Sequence, residues 1–168
     1  MVNSWGREKI EIPKTKGEWI WDIIGYMFFI GSIILLVFVW SSLPEQVPSH
    51  YNAAGEVDRW GSKIELFILP GVGLFTAILM QIFERFPEMH NYPARLNESN
   101  TEQFYLHSRK LLNRLKNICL ILFSLILYES ISIAMEWGNG FGKWFLPLAL
   151  VGTFLPIVHG LIQQRKIK

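Results

Sequence analysis

The chain has 168 residues, 51% of them apolar and only 18% charged, with a formal net charge of +2. Soluble domains carry roughly 25% charged residues, so the composition argues against a well-solvated soluble domain, and the length is that of one domain. The single cysteine, Cys119, excludes an intrachain disulfide.

Residues 1–17 are polar, with Pro13, and read as a flexible or surface-lying tail ahead of a single domain over 18–168. A hydrocarbon core about 30 Å thick takes about 20 apolar helical residues. The first such stretch, Ile23–Trp40, has no charge. It is too long for a cleaved signal and no A-x-A site follows, so it is expected to stay as an anchor. In the segment Leu43–Lys63, Pro44 and Pro48 hold the chain extended. Asn52–Gly55 and Trp60-Gly61 read as turns. The second stretch, Leu66–Phe83, contains Pro70 and Gln81, and Glu65 suits the helix N-terminus ahead of it.

The connection Glu84–Asn117 is turn-like from Pro87 to Asn100. Ser99-Asn-Thr-Glu102 then matches a capping box, so a helix is expected there. Its apolar positions Phe104, Leu111, Leu112 and Leu115 share one face, with Arg109, Lys110, Arg114 and Lys116 around it. Such a basic amphipathic helix either lies on the membrane surface or runs into the next span. The third stretch, Ile118–Met135, is interrupted by Glu129, and the fourth, Trp144–Ile162, carries Pro156 and His159. The expected fold is therefore all-α: a transmembrane four-helix bundle, with helices over about 20–42, 64–86, 113–135 and 144–163.

Lys and Arg set orientation. Thirteen fall in the N-terminal tail, the 84–117 connection and the C-terminus. Three, Arg59, Lys63 and Lys143, fall in the other two loops. Both termini and the amphipathic helix are expected in the cytoplasm, with 43–63 and 136–143 facing outward. Trp19, Trp21, Trp40, Tyr128, Trp137 and Trp144 sit at the borders of the spans, where aromatic rings favour the headgroup region.

An ionisable group inside a membrane is a functional candidate by default. Glu129 is the clearest, flanked by Ser130 and near enough to the outer loop for Arg59 or Lys63 to pair with it. Asp22 and Glu84 sit at the inner borders and read as solvated. The outer loop gathers His50, Asn52, Glu56, Asp58, Arg59 and Trp60. His50, Glu56 and Asp58 are types that bind divalent ions, yet their spacing matches no known metal motif, and no metal or cofactor is expected. His90 and His107 fall on the opposite side of the bilayer. Phosphate-loop, zinc-protease and serine-hydrolase motifs are missing.

Leu43-Pro44, Pro48-x-His50-Tyr51-Asn52, Gly55-Glu56-x-Asp58-Arg59-x-Gly61-Ser62-Lys63 and Pro70 resemble the signature of a bacterial membrane domain of uncharacterised function. That domain forms the first half of SdpI-type toxin-immunity proteins. Asn91-Tyr92-Pro93 and Glu102-x-x-Tyr105 resemble its second block, so the resemblance spans roughly residues 20–135. SdpI-type members protect the producing cell from a secreted peptide toxin and hold a transcriptional repressor at the membrane. They carry a further C-terminal domain, and this chain is similar to the short, stand-alone members.

Three functions follow as expectations. The first is a multi-pass protein of the bacterial cell membrane that binds an extracellular peptide or toxin. His50, Asn52, Glu56, Asp58, Arg59, Trp60 and Glu129 would make the contacts, and a cytoplasmic regulator would be the partner inside. The second is a small transporter or channel subunit using Glu129 and His159, which would need a homo-oligomer because four helices are few for a pore. The third is a membrane enzyme with His50 and Glu56 or Asp58 as acid–base groups, which lacks an evident nucleophile. The bilayer is a partner in every case, and nucleic acid in none.

Overall fold

The computed structural model describes residues 7–168. The first six residues of the expected polar tail lie outside the described residues.

Helix α1 (Lys16–Val39) starts where Thr15 and Glu18 form a capping box, with Thr15 N donating to Glu18 Oε2 at 2.8 Å. After Leu43-Pro44 the chain forms an antiparallel hairpin of β1 (Gln46–Tyr51) and β2 (Val57–Ser62). Asn52 closes its turn. Its N–H donates to Glu56 O at 2.9 Å, and its Oδ1 accepts from Ala54 N and Glu56 N at 2.9 and 3.0 Å. Gly55 sits at φ +77°, a conformation that glycine adopts without steric cost. A short 3-10 turn (Lys63–Phe67) leads into α2 (Ile68–Arg85). Then come α3 (Thr101–Ala134) and α4 (Phe145–Lys166).

The chain is thus mostly helical rather than all-α. Trp60-Gly61 lies within β2, paired with Pro48 and Val47, and is not a turn. Pro48 is tolerated because each strand of a two-stranded sheet is an edge. The basic segment ahead of the third span is not a separate helix but the first half of α3. The expected capping box at Ser99–Glu102 is not made: Ser99 N and Oγ both donate to Asn97 Oδ1, at 2.9 and 2.6 Å.

Among the described residues, four helices are long and apolar enough to cross a membrane, as in a multi-pass membrane protein. Large apolar side chains cover the outside, among them Phe38 at 83% exposed. In water these would be a liability, whereas in lipid they are the solvated face. The long α3 is the hub, packing on α1, α2 and α4. Gly73 of α2 lets the bundle close, since a Cβ there would lie 2.5 Å from the Phe29 ring of α1.

The core is layered along α3. At the hairpin end it is apolar: Leu36, Val39, Leu43, Val47, Leu66, Leu127 and Ile131. Phe29, Ala77 and Leu120 fill the middle. At the other end, called the tail end below, the core is ionic. Glu18 and Asp22 of α1, Glu84 of α2, and Arg109, Asn113, Lys116 and Asn117 of α3 are all buried. Asp22 and Glu84 are therefore not solvated border residues: they are 7% and 3% exposed.

Candidate functional site

The hairpin folds back over the end of the bundle. Tyr51 reaches across to α3, its hydroxyl 2.8 Å from Ser130 Oγ. Gly55 backs onto the α3–α4 connection so closely that a Cβ would lie 2.6 Å from Gly142 O. Beneath this roof lies a cavity of about 280 Å³, lined by Tyr51, Asn52, Ala53, Gly55, Ile126, Glu129, Phe145 and Leu146. Beyond Gly55, a shallower depression of about 650 Å³ carries Glu56, Glu136 and Lys143 on its walls.

Glu129 is 4% exposed and accepts one backbone hydrogen bond, from Phe141 N at 2.6 Å. Gly140, at φ +87°, brings that loop in: a Cβ on it would lie 2.9 Å from Glu129 Oε1. No cation among the described residues pairs with Glu129. Arg59, expected as one partner, lies 3.2 Å from Glu65, which also caps Ser62 N. Lys63, the other, lies 2.8 Å from Glu45. Each found a carboxylate closer in sequence. Burial is the main reason the Tyr51 phenol is pushed up to about 12, with the Glu129 charge adding to it and the Ser130 hydrogen bond opposing.

The other outer-loop candidates do not converge on this cavity. His50 Nδ1 lies 2.6 Å from Asp58 Oδ1 on the exposed face of the hairpin. Asn52 Nδ2 donates to Glu56 Oε2 at 3.0 Å, and Trp60 is 51% exposed. Among the described residues no three His, Cys, Asp or Glu side chains are grouped to hold a metal ion. His159 is exposed on α4, 3.2 Å from Gln163 Nε2, near the tail end. Its neighbour Gly160 packs on Leu111, eighteen residues or about 27 Å along α3 from Glu129. Glu129 thus lines the cavity under the hairpin, whereas His159 lies on the exposed surface of α4.

The ionic layer is the feature that sequence reading missed. Arg109 forms a bidentate pair with Glu18, Nε to Oε1 at 2.8 Å and Nη2 to Oε2 at 3.1 Å. It also donates to Ile12 O and Pro13 O, which ties residues 12–13 across the tail end. Lys116 Nζ lies 2.8 Å from Glu84 Oε1 and 3.1 Å from Asp22 Oδ1, and donates to Gln81 Oε1 at 2.8 Å. Asp22 Oδ1 accepts from Asn113 and Asn117 at 2.7 and 2.9 Å, while Lys14 pairs with Oδ2. Three cations thus meet three carboxylates. Outside the spans, the same end holds His90, whose Nε2 donates to Phe83 O at 2.9 Å and whose Nδ1 accepts from Ser108 at 2.6 Å. Burial holds its pKa below the usual histidine value.

Comparison with known proteins gives limited company. A family described as a domain of unknown function (DUF1648) matches residues 27–74, from mid-α1 through the hairpin into α2. An uncharacterised protein of Archaeoglobus fulgidus is 41% identical over 63 residues, covering 33% of this chain and 34% of the relative. The match thus spans about a third of that relative's length. No solved structure matches.

Proposed function

We propose that this chain is a binding protein of the cell membrane that takes an apolar, positively charged part of an extracellular peptide into the cavity under the hairpin. One observation carries the reading. The Glu129 carboxylate is buried in an apolar cavity with no cation beside it among the described residues. Such a carboxylate is costly unless it is protonated or paired. An arginine or lysine side chain from a ligand would supply the missing charge, while its stem would lie against Ile126, Phe145 and Leu146. About 280 Å³ is room for one side chain rather than a whole ligand. Glu56 and Glu136 in the adjoining depression add acidic groups along the approach.

Sidedness is part of the proposal. With thirteen Lys and Arg at the tail end and three at the hairpin end, the hairpin faces outward and both termini face the cytoplasm. The resemblance of the 43–63 segment to SdpI-type immunity proteins supports a bacterial cell membrane and a peptide toxin as the ligand. It also supports a cytoplasmic regulator at the tail end. Glu129 then forms the floor of the site, and the His50–Asp58 pair stays on the exposed face of the hairpin, outside the cavity lining.

The test is survival of a susceptible bacterium that expresses the chain, challenged with culture supernatants of its producer and related strains. Wild type is expected to protect. Glu129→Gln, matched in membrane level by immunoblot, is expected to lose protection, and His50→Ala/Asp58→Ala to keep most of it. No protection by wild type against any supernatant overturns the immunity reading. Loss in the His50→Ala/Asp58→Ala variant with Glu129→Gln intact moves recognition to the hairpin surface.

A further inference from the structure

A second site lies at the tail end, apart from the hairpin cavity. There the first two turns of α1 and the first half of α3 enclose a groove of about 350 Å³, lined in part by Lys16, Trp21, Lys110 and Arg114. These three basic side chains stand out in a region where Lys14, Arg109 and Lys116 all have carboxylate partners. Among the described residues, Lys16, Lys110 and Arg114 make no ion pair and no side-chain hydrogen bond. Lys110 and Arg114 are four residues apart on α3, which places like charges about 5–6 Å apart at Cβ and destabilises a helix unless an anion lies between them. The groove's carboxylate, Glu18, is fully committed to Arg109 and Thr15. The first turn of α1 adds the positive end of its dipole. The groove is therefore a concave surface with three uncompensated positive charges.

We infer that this groove is a binding site for one phosphate group, held between Lys16 on α1 and Lys110 and Arg114 on α3. In a membrane the bearer of that phosphate is an anionic phospholipid. Toward the bilayer centre the same helix faces turn apolar, with Trp21 and the exposed Phe28 on α1 and Ile118 and Ile121 on α3. A headgroup phosphate in the groove thus sets the acyl chains along a continuous apolar seam. Free phosphate shares the chemistry but makes no use of the seam. The site is independent of the cavity under the hairpin, and of which ligand that cavity takes.

Native mass spectrometry of the full chain in neutral detergent, with equal amounts of dioleoyl phosphatidylglycerol and dioleoyl phosphatidylcholine, tests this. Wild type is expected to retain one phosphatidylglycerol in about tenfold preference, given several basic groups close to the headgroup. Lys110→Gln/Arg114→Gln is expected to bind the two lipids about equally. Arg165→Gln/Lys168→Gln, with the same change in charge at the same end but outside the groove, is expected to keep the preference. If the double groove variant melts early, Lys16→Gln serves in its place, since Lys16 is exposed, and a preference lowered about threefold is expected. Inorganic phosphate is added in a parallel arm. Failure to displace phosphatidylglycerol supports the lipid headgroup, and displacement at millimolar levels assigns the site to the free anion. No lipid preference in wild type, or equal loss in the Arg165/Lys168 variant, overturns the inference.

Discussion

Replacing Lys116 by Met removes one charge from a fully enclosed place. The side chain is 0% exposed and its ammonium group touches Glu84, Asp22 and Gln81. In the wild type Lys14, Arg109 and Lys116 balance Glu18, Asp22 and Glu84. Without Lys116, three carboxylates face two cations, and Arg109 is already held by Glu18. Glu84 keeps Lys14 as its one cation, 3.8 Å away, and the neutral Asn113 amide at 3.3 Å. Breaking a buried pair by removing one partner costs about 3–5 kcal/mol. In a chain of this size each kcal/mol moves the melting temperature by about 2–4 °C, so a fall of about 6–20 °C is expected. Thermal unfolding of the detergent-purified protein, followed by intrinsic tryptophan fluorescence, reads it. Glu84→Gln in the same chain restores neutrality, and the double variant is expected to regain at least half of the loss. A Lys116→Met protein melting within about 2 °C of wild type, or a double variant no better than the single, refutes the argument.

Gly25→Ala is expected to destabilise by about 1–3 kcal/mol through overpacking, because the new Cβ would overlap the Asn117 side chain. Helix propensity alone predicts the opposite sign, so the melting temperature decides between them. Tyr51 gives a pH signature. Its phenol is pushed up to about 12, above the ordinary tyrosine value of 10.0, chiefly by burial. The associated stability is therefore full below pH about 10 and lost as pH rises toward 12. Burial raises the Tyr92 phenol as well, so ultraviolet titration is expected to show a late-ionising component that shrinks by one phenol in Tyr51→Phe.

The spans were legible because hydrophobic length is a property of the sequence alone. Glu129 was legible too, as one carboxylate in an apolar run. The hairpin was not: Pro44, Pro48, Gly55 and Gly61 read as turn signals one by one. Pairing of Gln46–Tyr51 with Val57–Ser62 depends on the Asn52 side chain closing the turn between them. The ionic layer was hidden for a different reason. Asp22, Glu84 and Lys116 each lie near the end of an apolar stretch, where a charge ordinarily means the edge of the membrane. The missed signal was periodic. Glu18 and Asp22, Gln81 and Glu84, and Arg109, Asn113 and Lys116 recur at three- or four-residue steps, so each set forms a stripe on one helix face. Three such stripes at the same end of a bundle can satisfy one another. Arg59 and Lys63 misled because reach along the chain was taken for reach in space.

The 34 residues of α3 contain neither glycine nor proline, the usual places at which a long helix bends. At 1.5 Å per residue the rod is about 51 Å long, some 20 Å more than a hydrocarbon core requires. It carries Arg109 near one extremity and Glu129 near the other, about 30 Å apart. A stiff rod cannot absorb a push by flexing. A tilt of about 4° around its centre carries each of these two groups about 1 Å, in opposite directions, by the geometry of a rod of that length. Any displacement of Glu129 thereby works a lever, whose far arm pulls on the pairing of Arg109 with Glu18 and on the strap of residues 12–13.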